Sequence, residues 1–461
     1  MTRRAGENPD TAGRAMRPEG GVQLCMGRRD DDAPPRRGHA TAITFEECDL
    51  LNGLHVIVHE DRHLPLVAVN LWYHVGSKDE EPGKTGFAHL FEHMMFQGSE
   101  NVPPNGHFLL VQKAGGTLNG STTFDRTNYY ETLPAHQLEL GLWLEADRMR
   151  TLRLDTETFE TQRNVVMEER RSRYDNQPYG RIYESLFERA WKIQPYRWPT
   201  IGSMADIRAA SLEDARAFHA AYYRPSNASL CIVGDVDAQA AVRLAEKYFG
   251  DIPDDGTPIL RPGAREPKRS FQVRDLVYDA VPLPAVIIGF HIPPLADDDF
   301  LPAEVLSSIL ASGESSRLRR RLVHAARAAQ SVEAYALGLE LPGLFIAEAY
   351  AQIGHSAQEL EDLIFEELAV LRNEGVGEAE LAKARNRLET SFVHGVTDIQ
   401  SRADLLNAYR VLHGDTSGIN RELERIRAVT ADDLHRIVRS FLIEDNATVV
   451  HYLPYPYPSS A

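Results

Sequence analysis

The chain contains one stretch of sequence written twice, and this repetition most constrains its fold. Residues 207–230, IRAASLEDARAFHAAYYRPSNASL, match residues 426–449, IRAVTADDLHRIVRSFLIEDNATV. Three weaker matches follow the same order at nearly the same spacing: 89–100 with 304–315, 136–145 with 357–368, and 159–164 with 380–386. Matches in a constant order and spacing predict two copies of one domain.

The two copies predict homologous domains over 41–250 and 270–455, joined by a linker over 251–269 that is rich in Gly and Pro. Each copy begins with a β-rich pair and ends with a strand that follows a helix. Strands and helices do not alternate strictly, which predicts an α+β fold with mainly antiparallel sheets packed with helices. Residues 1–40 and 456–461 are expected to be tails, the first of them disordered.

Composition excludes several classes of partner. The net charge of −17 would repel a phosphate backbone, so no nucleic-acid partner is expected. Three widely spaced cysteines without CxxC predict neither a disulfide framework nor a thiolate metal site.

No apolar run of about 18 residues exists, so no membrane span is expected. The N-terminus lacks the apolar core of a signal peptide, which favours the cytoplasm and leaves the periplasm as the alternative.

The segment GFAHLFEHMMF places ionisable groups in an apolar stretch that is expected to be helical over 85–97. His89 and His93 are then one turn apart on one face, with Glu92 near that face. This is HxxEH, the reverse of the HExxH zinc helix. Two neutral imidazoles can bind Zn²⁺ while a nearby carboxylate transfers a proton. The alternative is a core helix whose histidines are satisfied by hydrogen bonds.

The second copy favours the metal-binding interpretation. Glu304, Ser307 and Ser308 stand opposite the three ionisable residues, while the neighbouring positions stay apolar. The packing of this helix therefore does not need the ionisable set. Burying three ionisable groups without partners would also be costly.

A third metal ligand is predicted on a second helix. Phe159, Gln162 and Val166 form a stripe at helical spacing that continues to Glu169, which should therefore point inward. Glu168 is turned about 100° from it. A catalytic zinc site needs three protein ligands and an open position, and Glu169 completes that number.

The charged neighbours of Glu169 have a simpler interpretation. Glu168, Arg170 and Arg171 are expected to form a solvated charged face. In the second copy Ser391 takes the place of Glu169, so the whole constellation is missing there.

Together these residues resemble the inverzincin metallopeptidases, which include pitrilysin, insulin-degrading enzyme and the mitochondrial processing peptidases. QRNVVMEERRSRYDNQPYG is similar to bacterial members of the processing-peptidase branch. The resemblance implies a zinc-dependent endopeptidase for peptides or small unfolded polypeptides, whose paired α+β domains form half of a clam-like chamber. It also implies one zinc per chain, with His89, His93 and Glu169 as ligands and Glu92 as the base.

A further segment fits this resemblance. Residues 115–134, GGTLNGSTTFDRTNYYETLP, predict two strands with a turn near 124–126. In the family the equivalent strand is an exposed edge to which substrate adds by main-chain pairing. Asn119 and Gly120 match the family's substrate-contacting pair. The alternative is an ordinary hairpin with a bulge.

One expected feature is missing. Family enzymes use an Arg and a Tyr from the second domain, but residues 343–363 contain no Arg, and Tyr350 lies within an apparent strand. This favours a dimer, either a heterodimer whose related subunit supplies the Arg and Tyr or a homodimer that uses other groups. A non-catalytic scaffold subunit and a metal-dependent hydrolase of non-peptide substrates stay as alternatives. The intact ionisable set favours the peptidase.

Overall fold

The computed structural model describes residues 42–261 and 266–456, which form two sheets packed with helices. This confirms the predicted α+β class. The predicted N-terminal tail, residues 262–265 of the predicted linker and residues 457–461 lie outside the described residues. Every helix in the part that is described is too short or too polar to cross a lipid bilayer.

The first sheet has six strands in the order β1-β2-β6-β3-β5-β4, so β4 lies at one edge. Neighbours are antiparallel except β2 and β6, which are parallel. The central strands β3 and β6 are buried on both faces, and each is apolar apart from one buried polar residue, Asn70 or Ser229. The strands are β1 Glu46–Asp49, β2 His55–Glu60, β3 Leu66–Tyr73, β4 Thr117–Thr122, β5 Thr127–Pro134 and β6 Ala228–Gly234.

The second sheet repeats this arrangement without a counterpart of β1. Its order is β7-β11-β8-β10-β9, and only β7 and β11 are parallel. Reading both orders from the parallel pair outward, each of the five described strands of the second sheet has a counterpart in the first. The strands are β7 Val273–Asp279, β8 Ala285–Ile292, β9 Ala329–Leu337, β10 Gly343–Ala351 and β11 Ala447–Pro454.

Helices of the two halves also correspond. The repeated S/T-x-x-D signature is a helix start in both, because Ser211 accepts from the Asp214 amide and Thr430 from the Asp433 amide. The first half contains α1 Phe87–Met94, α2 Gly106–Lys113, α3 Leu138–Thr151, α4 Thr156–Arg170, α5 Ile182–Ala190, α6 Met204–Ala209, α7 Leu212–Tyr222 and α8 Ala238–Phe249. The second contains α9 Phe300–Ala311, α10 Ala357–Glu374, α11 Glu378–Thr397, α12 Ile399–His413, α13 Glu422–Ala428 and α14 Ala431–Ser440.

Two helices interlock the halves. Helix α5 of the first half covers the second sheet, where Leu186 joins Ile287 and Ile346 in one buried cluster. Gly289 permits this approach, since a Cβ there would lie 3.1 Å from a Leu186 methyl carbon. Helix α12 of the second half covers the first sheet in return, and its Leu406 packs in a cluster with sheet residues. Each sheet therefore completes its core with a helix from the other half.

Candidate metal centre

Helix α1 begins at a turn whose amides bind a buried carboxylate. Gly86 has φ of +92°, and the Glu80 carboxylate accepts hydrogen bonds from the Gly86 and Ala88 amides, each at 2.9 Å. These amides belong to a helix start that lacks intrahelical acceptors. Burial raises the pKa of Glu80. The helix ends at Met94, earlier than the predicted limit of 97, and the chain turns at Gly98, whose φ is +99°.

The three predicted metal ligands converge. Nε2 of His93 lies 3.2 Å from Oε2 of Glu169, and Nε2 of His89 lies 3.7 Å from the same oxygen. One potential ligand atom from each residue falls within 4.8 Å of the other two. Across residues 42–261 and 266–456, this is the one group of three His, Cys, Asp or Glu side chains close enough to share a metal ion.

This donor set fits zinc. Two imidazole nitrogens and one carboxylate oxygen form a known ligand set of catalytic zinc sites. Burial lowers the pKa of His89 to about 4, so its ring is neutral at pH 7. A hydrogen bond with His93 lowers the pKa of Glu169, so its carboxylate is ionised. A neutral ring and an ionised carboxylate are the forms that bind a metal.

Helix α4 presents Glu169 as its sequence predicts. Phe159, Gln162 and Val166 are buried along the same face, and Glu168 is exposed beside Arg171. Glu169 has a hydrogen-bond partner that the sequence did not predict. Arg173, one helical turn later, donates to Oε1 of Glu169 at 2.6 Å. Oε2 is thereby left facing the two imidazoles.

Arg170 corrects the expectation of a wholly solvated charged face. Its residue exposure is only 5%, and Nη2 donates to both carboxylate oxygens of Glu184, at 2.8 and 3.0 Å. Its Nη1 donates to the Gly202 carbonyl. A Cβ on Gly202 would lie 2.4 Å from the Gly86 nitrogen, so Arg170 holds the end of α4 against the loop beside the start of α1. Arg170 and Glu184 lie on different helices, and no pattern in the sequence predicted that they would pair.

Glu92 lies beside the edge strand β4. Thr122 Oγ1 donates to Glu92 Oε2 at 2.6 Å, and a Cβ on Gly120 would lie 3.3 Å from Glu92 Cγ. Burial raises the pKa of Glu92 above its ordinary value. Asn119 is exposed, and its Oδ1 accepts from the Gly120 amide. Thr122 was not predicted, although strand alternation places it on the same face as Gly120.

The chain matches two family profiles. One, described as Insulinase (Peptidase family M16), matches residues 55–203, and another, described as Peptidase M16 inactive domain, matches residues 209–388. Zinc protease PqqE of Helicobacter pylori is 32% identical over 412 residues, covering 89% of this chain and 93% of the relative. Mitochondrial-processing peptidase subunit beta of Lentinula edodes is 24% identical over 409 residues, 85% of this chain and 86% of that one.

A solved structure agrees with these matches. The crystal structure of a protease from Helicobacter pylori superposes with a TM-score of 0.86 and 31% identity, covering 89% of this chain and all of that one. These findings confirm the resemblance drawn from the motifs. The chain therefore belongs to the insulinase family of peptidases, peptidase family M16.

Proposed function

We propose that the protein is a zinc-dependent endopeptidase that hydrolyses peptides or small unfolded polypeptides. One zinc ion would be held by His89, His93 and Glu169. The observation that carries this proposal is the convergence of these ligand atoms next to a carboxylate, Glu92, that is free of the cluster. Relatives named zinc proteases support the class of reaction.

When bound, zinc supplies Lewis acidity, which polarises a peptide carbonyl and makes water more acidic. Glu92 would accept the proton of the attacking water and deliver it to the leaving amide nitrogen. Burial makes this carboxylate a stronger base than an exposed one, and Thr122 fixes one of its oxygens. Arg173 would keep Glu169 oriented toward the imidazoles.

Substrate would pair with β4. This strand ends the order of its sheet, and it passes beside Glu92 through Gly120. An added strand would hold a peptide by main-chain hydrogen bonds, which tolerate many side chains. The exposed amide side chain of Asn119 would contact the substrate on the strand's other face.

We also propose a dimer with a related subunit or a second copy. Residues 343–363 form β10 and the start of α10, and they contain no Arg. Their Tyr350 packs edge-to-face on Tyr179 with ring centroids 4.9 Å apart, so it is engaged within the chain. A related subunit would therefore supply an Arg and a Tyr for the substrate, whereas a second copy of this chain would use other groups.

The test uses the purified full chain and internally quenched peptides blocked at both ends, with zinc measured by mass spectrometry. The wild type should cleave internally and contain about one zinc ion per chain. Glu92→Gln should keep the zinc and lose roughly 10²–10⁴-fold in rate. Cleavage by Glu92→Gln at the wild-type rate would refute its role.

The same assay separates the alternatives. A zinc-loaded chain that cleaves only after a related subunit is added would support the heterodimer. A chain that neither binds zinc nor cleaves, alone or with that subunit, would support the scaffold instead.

A further inference from the structure

Tyr129 of β5 joins the strand that would hold the substrate to the helix that carries the base. It lies directly opposite Gly120 in the pairing of β5 with β4. A Cβ on Gly120 would be 3.2 Å from Cδ1 of Tyr129, so the ring lies against the backbone of β4. At its other end, the hydroxyl group donates to the Phe91 carbonyl of α1 at 3.2 Å. This carbonyl belongs to the residue immediately before Glu92.

The bond to Phe91 fixes the last turn of α1. The same carbonyl accepts the helical hydrogen bond from the Met95 amide at 3.0 Å, and a carbonyl oxygen has lone pairs for two donors. The final turn of a helix is otherwise the part that opens most readily, because its last carbonyls lack helical partners. A donor from a buried strand therefore ties the turn that contains Glu92 to the sheet.

The Tyr129 ring is itself held in place. It is fully buried, and the Arg148 guanidinium of α3 lies over it, with Cζ 4.3 Å from the ring centroid. Arg148 is fixed in turn by Glu145, which accepts from Nε at 3.0 Å. Phe96 packs edge-on against the same ring, with centroids 5.7 Å apart. The phenol therefore has little freedom to move away from Phe91.

Burial of a tyrosine does not by itself require such a bond. Tyr73 lies edge-on to Tyr129, with ring centroids 6.1 Å apart, and it is buried as completely. Its hydroxyl group has no hydrogen-bond partner among the described residues. Of these two neighbouring phenols, the one that lies against Gly120 is the one that bonds to α1.

Glu92 is the group that would need this support. Bound zinc would tie its three ligands to one point, but Glu92 is not one of them. Its position depends on the hydrogen bond from Thr122 to its carboxylate and on the backbone of its own helical turn. A displacement of about 1 Å at a reacting group can cost roughly a hundredfold in rate.

We propose that Tyr129 is a positioning residue, which sets the distance between β4 and the Glu92 carboxylate. It acts through the Phe91 carbonyl and the backbone of β4, so a peptide paired with β4 is presented to the base at a fixed separation. This role rests on the proposed peptidase function, because it requires a substrate on β4 and a base at Glu92.

The test compares Tyr129→Phe with Tyr73→Phe in the full chain with zinc added. Tyr129→Phe keeps the ring against β4 and removes only the hydroxyl group, so KM and zinc content should stay constant. Its kcat should fall by roughly threefold to tenfold, as expected for the loss of one hydrogen bond between uncharged groups. Tyr73→Phe is the matched control, because it removes a buried hydroxyl group that no described residue binds. It should keep the wild-type kcat.

Hydrogen exchange provides a second readout, which does not depend on catalysis. The amides of residues 92–97 should exchange roughly threefold or more faster in Tyr129→Phe than in the wild type or in Tyr73→Phe. A lower melting temperature of Tyr129→Phe with an unchanged kcat would show a role in stability alone and would overturn the proposal. Equal losses of kcat in the two variants, or unchanged exchange of this turn, would overturn it as well.

Failure of this role is distinct from failure of the proposed function. A wild type that binds zinc but cleaves no peptide would refute the peptidase activity, and the exchange rates would then decide alone whether Tyr129 fixes the turn. If the wild type cleaves and Tyr129→Phe behaves as Tyr73→Phe does, the peptidase function stands and the positioning role falls.

Discussion

Helices α1 and α4 of the first half and α9 and α11 of the second occupy equivalent places but carry different side chains. The first pair brings together two imidazoles and a carboxylate. The second pair places a carboxylate, a guanidinium and serines around a cavity. Both α1 and α9 bury a nearly continuous apolar face. The framework is thus maintained by apolar packing, and the ionisable residues can be exchanged without changing the fold.

The interfaces made by the two interlocking helices also differ, because the carboxylate in each has different partners. Asp404 of α12 accepts from Trp72 Nε1 at 2.9 Å, Asn128 Nδ2 at 3.0 Å and Asn70 Nδ2 at 3.2 Å. Beneath α5, Glu348 of β10 has one oxygen buried without a partner. The carboxylate of the α12 interface therefore has three hydrogen-bond donors, whereas the carboxylate beneath α5 keeps one buried oxygen without a donor, which is unfavourable.

The largest expected difference is between two single variants. One removes a metal ligand of the first half, and the other changes the residue at the same repeat position of the second half. Glu169→Gln should weaken zinc binding by more than about a hundredfold, because even changes to groups behind the ligands typically cost 10–100-fold. Hydrolysis should fall with it. Ser391→Ala should leave both unchanged. Competition with a chromophoric chelator measures the affinity, and equal zinc affinity in Glu169→Gln would contradict the ligand assignment.

A second effect concerns the residue after each of these positions. Phe392 follows Ser391, whereas Arg170 follows Glu169 and is buried in an ion pair with Glu184. Arg170→Met should lower the free energy of unfolding by about 3 kcal/mol, because it leaves the Glu184 carboxylate unpaired. Arg171→Met, which removes an exposed pair, should change it by less than about 0.5 kcal/mol. Urea denaturation measures both, and similar values for the two would refute the distinction.

The third test compares the interlocking carboxylates. Burial raises the pKa of Glu348 from 4.5 to about 6, against a hydrogen bond from Tyr183 and with repulsion from Glu333. The folded state then binds more protons than the unfolded state between these pH values, so stability falls as pH rises through them. Glu348→Gln should stabilise the protein by up to about 2 kcal/mol at pH 8 and by almost nothing at pH 4.

Asp404→Asn is the matched variant for that test. It weakens three hydrogen bonds to a charged acceptor, so it should destabilise the protein by about 1 kcal/mol at pH 8. Thermal and urea unfolding at both pH values give the comparison. A loss of stability in both variants at pH 8 would mean that Glu348 is stabilising.

The smallest effect is expected at the strand beside the base. Thr122→Val removes the hydrogen bond to Glu92 and should lower kcat by roughly tenfold while zinc content stays constant. Thr117→Val, at the exposed start of the same strand, should change neither. If Thr122→Val retained the wild-type kcat, the orientation of Glu92 would not depend on this bond.

Much of the site could be predicted from spacing within single elements. His89 and His93 share a face because they are four residues apart in a helix, and Glu169 continues an apolar stripe. Thr122, Arg173 and Glu80 were missed, because each acts through a contact with another segment or turn. Arg170 was assigned wrongly for the same reason, since its partner Glu184 lies on the next helix.

Local periodicity and the internal repeat were sufficient for the α+β class, the hairpin of β4 and β5 and the ligand-bearing helices. They act over a few residues or between copies of one pattern, so they can be read along the chain. Three features depend on side chains that are far apart in sequence. They are the sheet that each interlocking helix covers, the carboxylates that have partners, and the position of the cavity in the second half. Those outcomes arise from close packing in three dimensions, which no local pattern encodes.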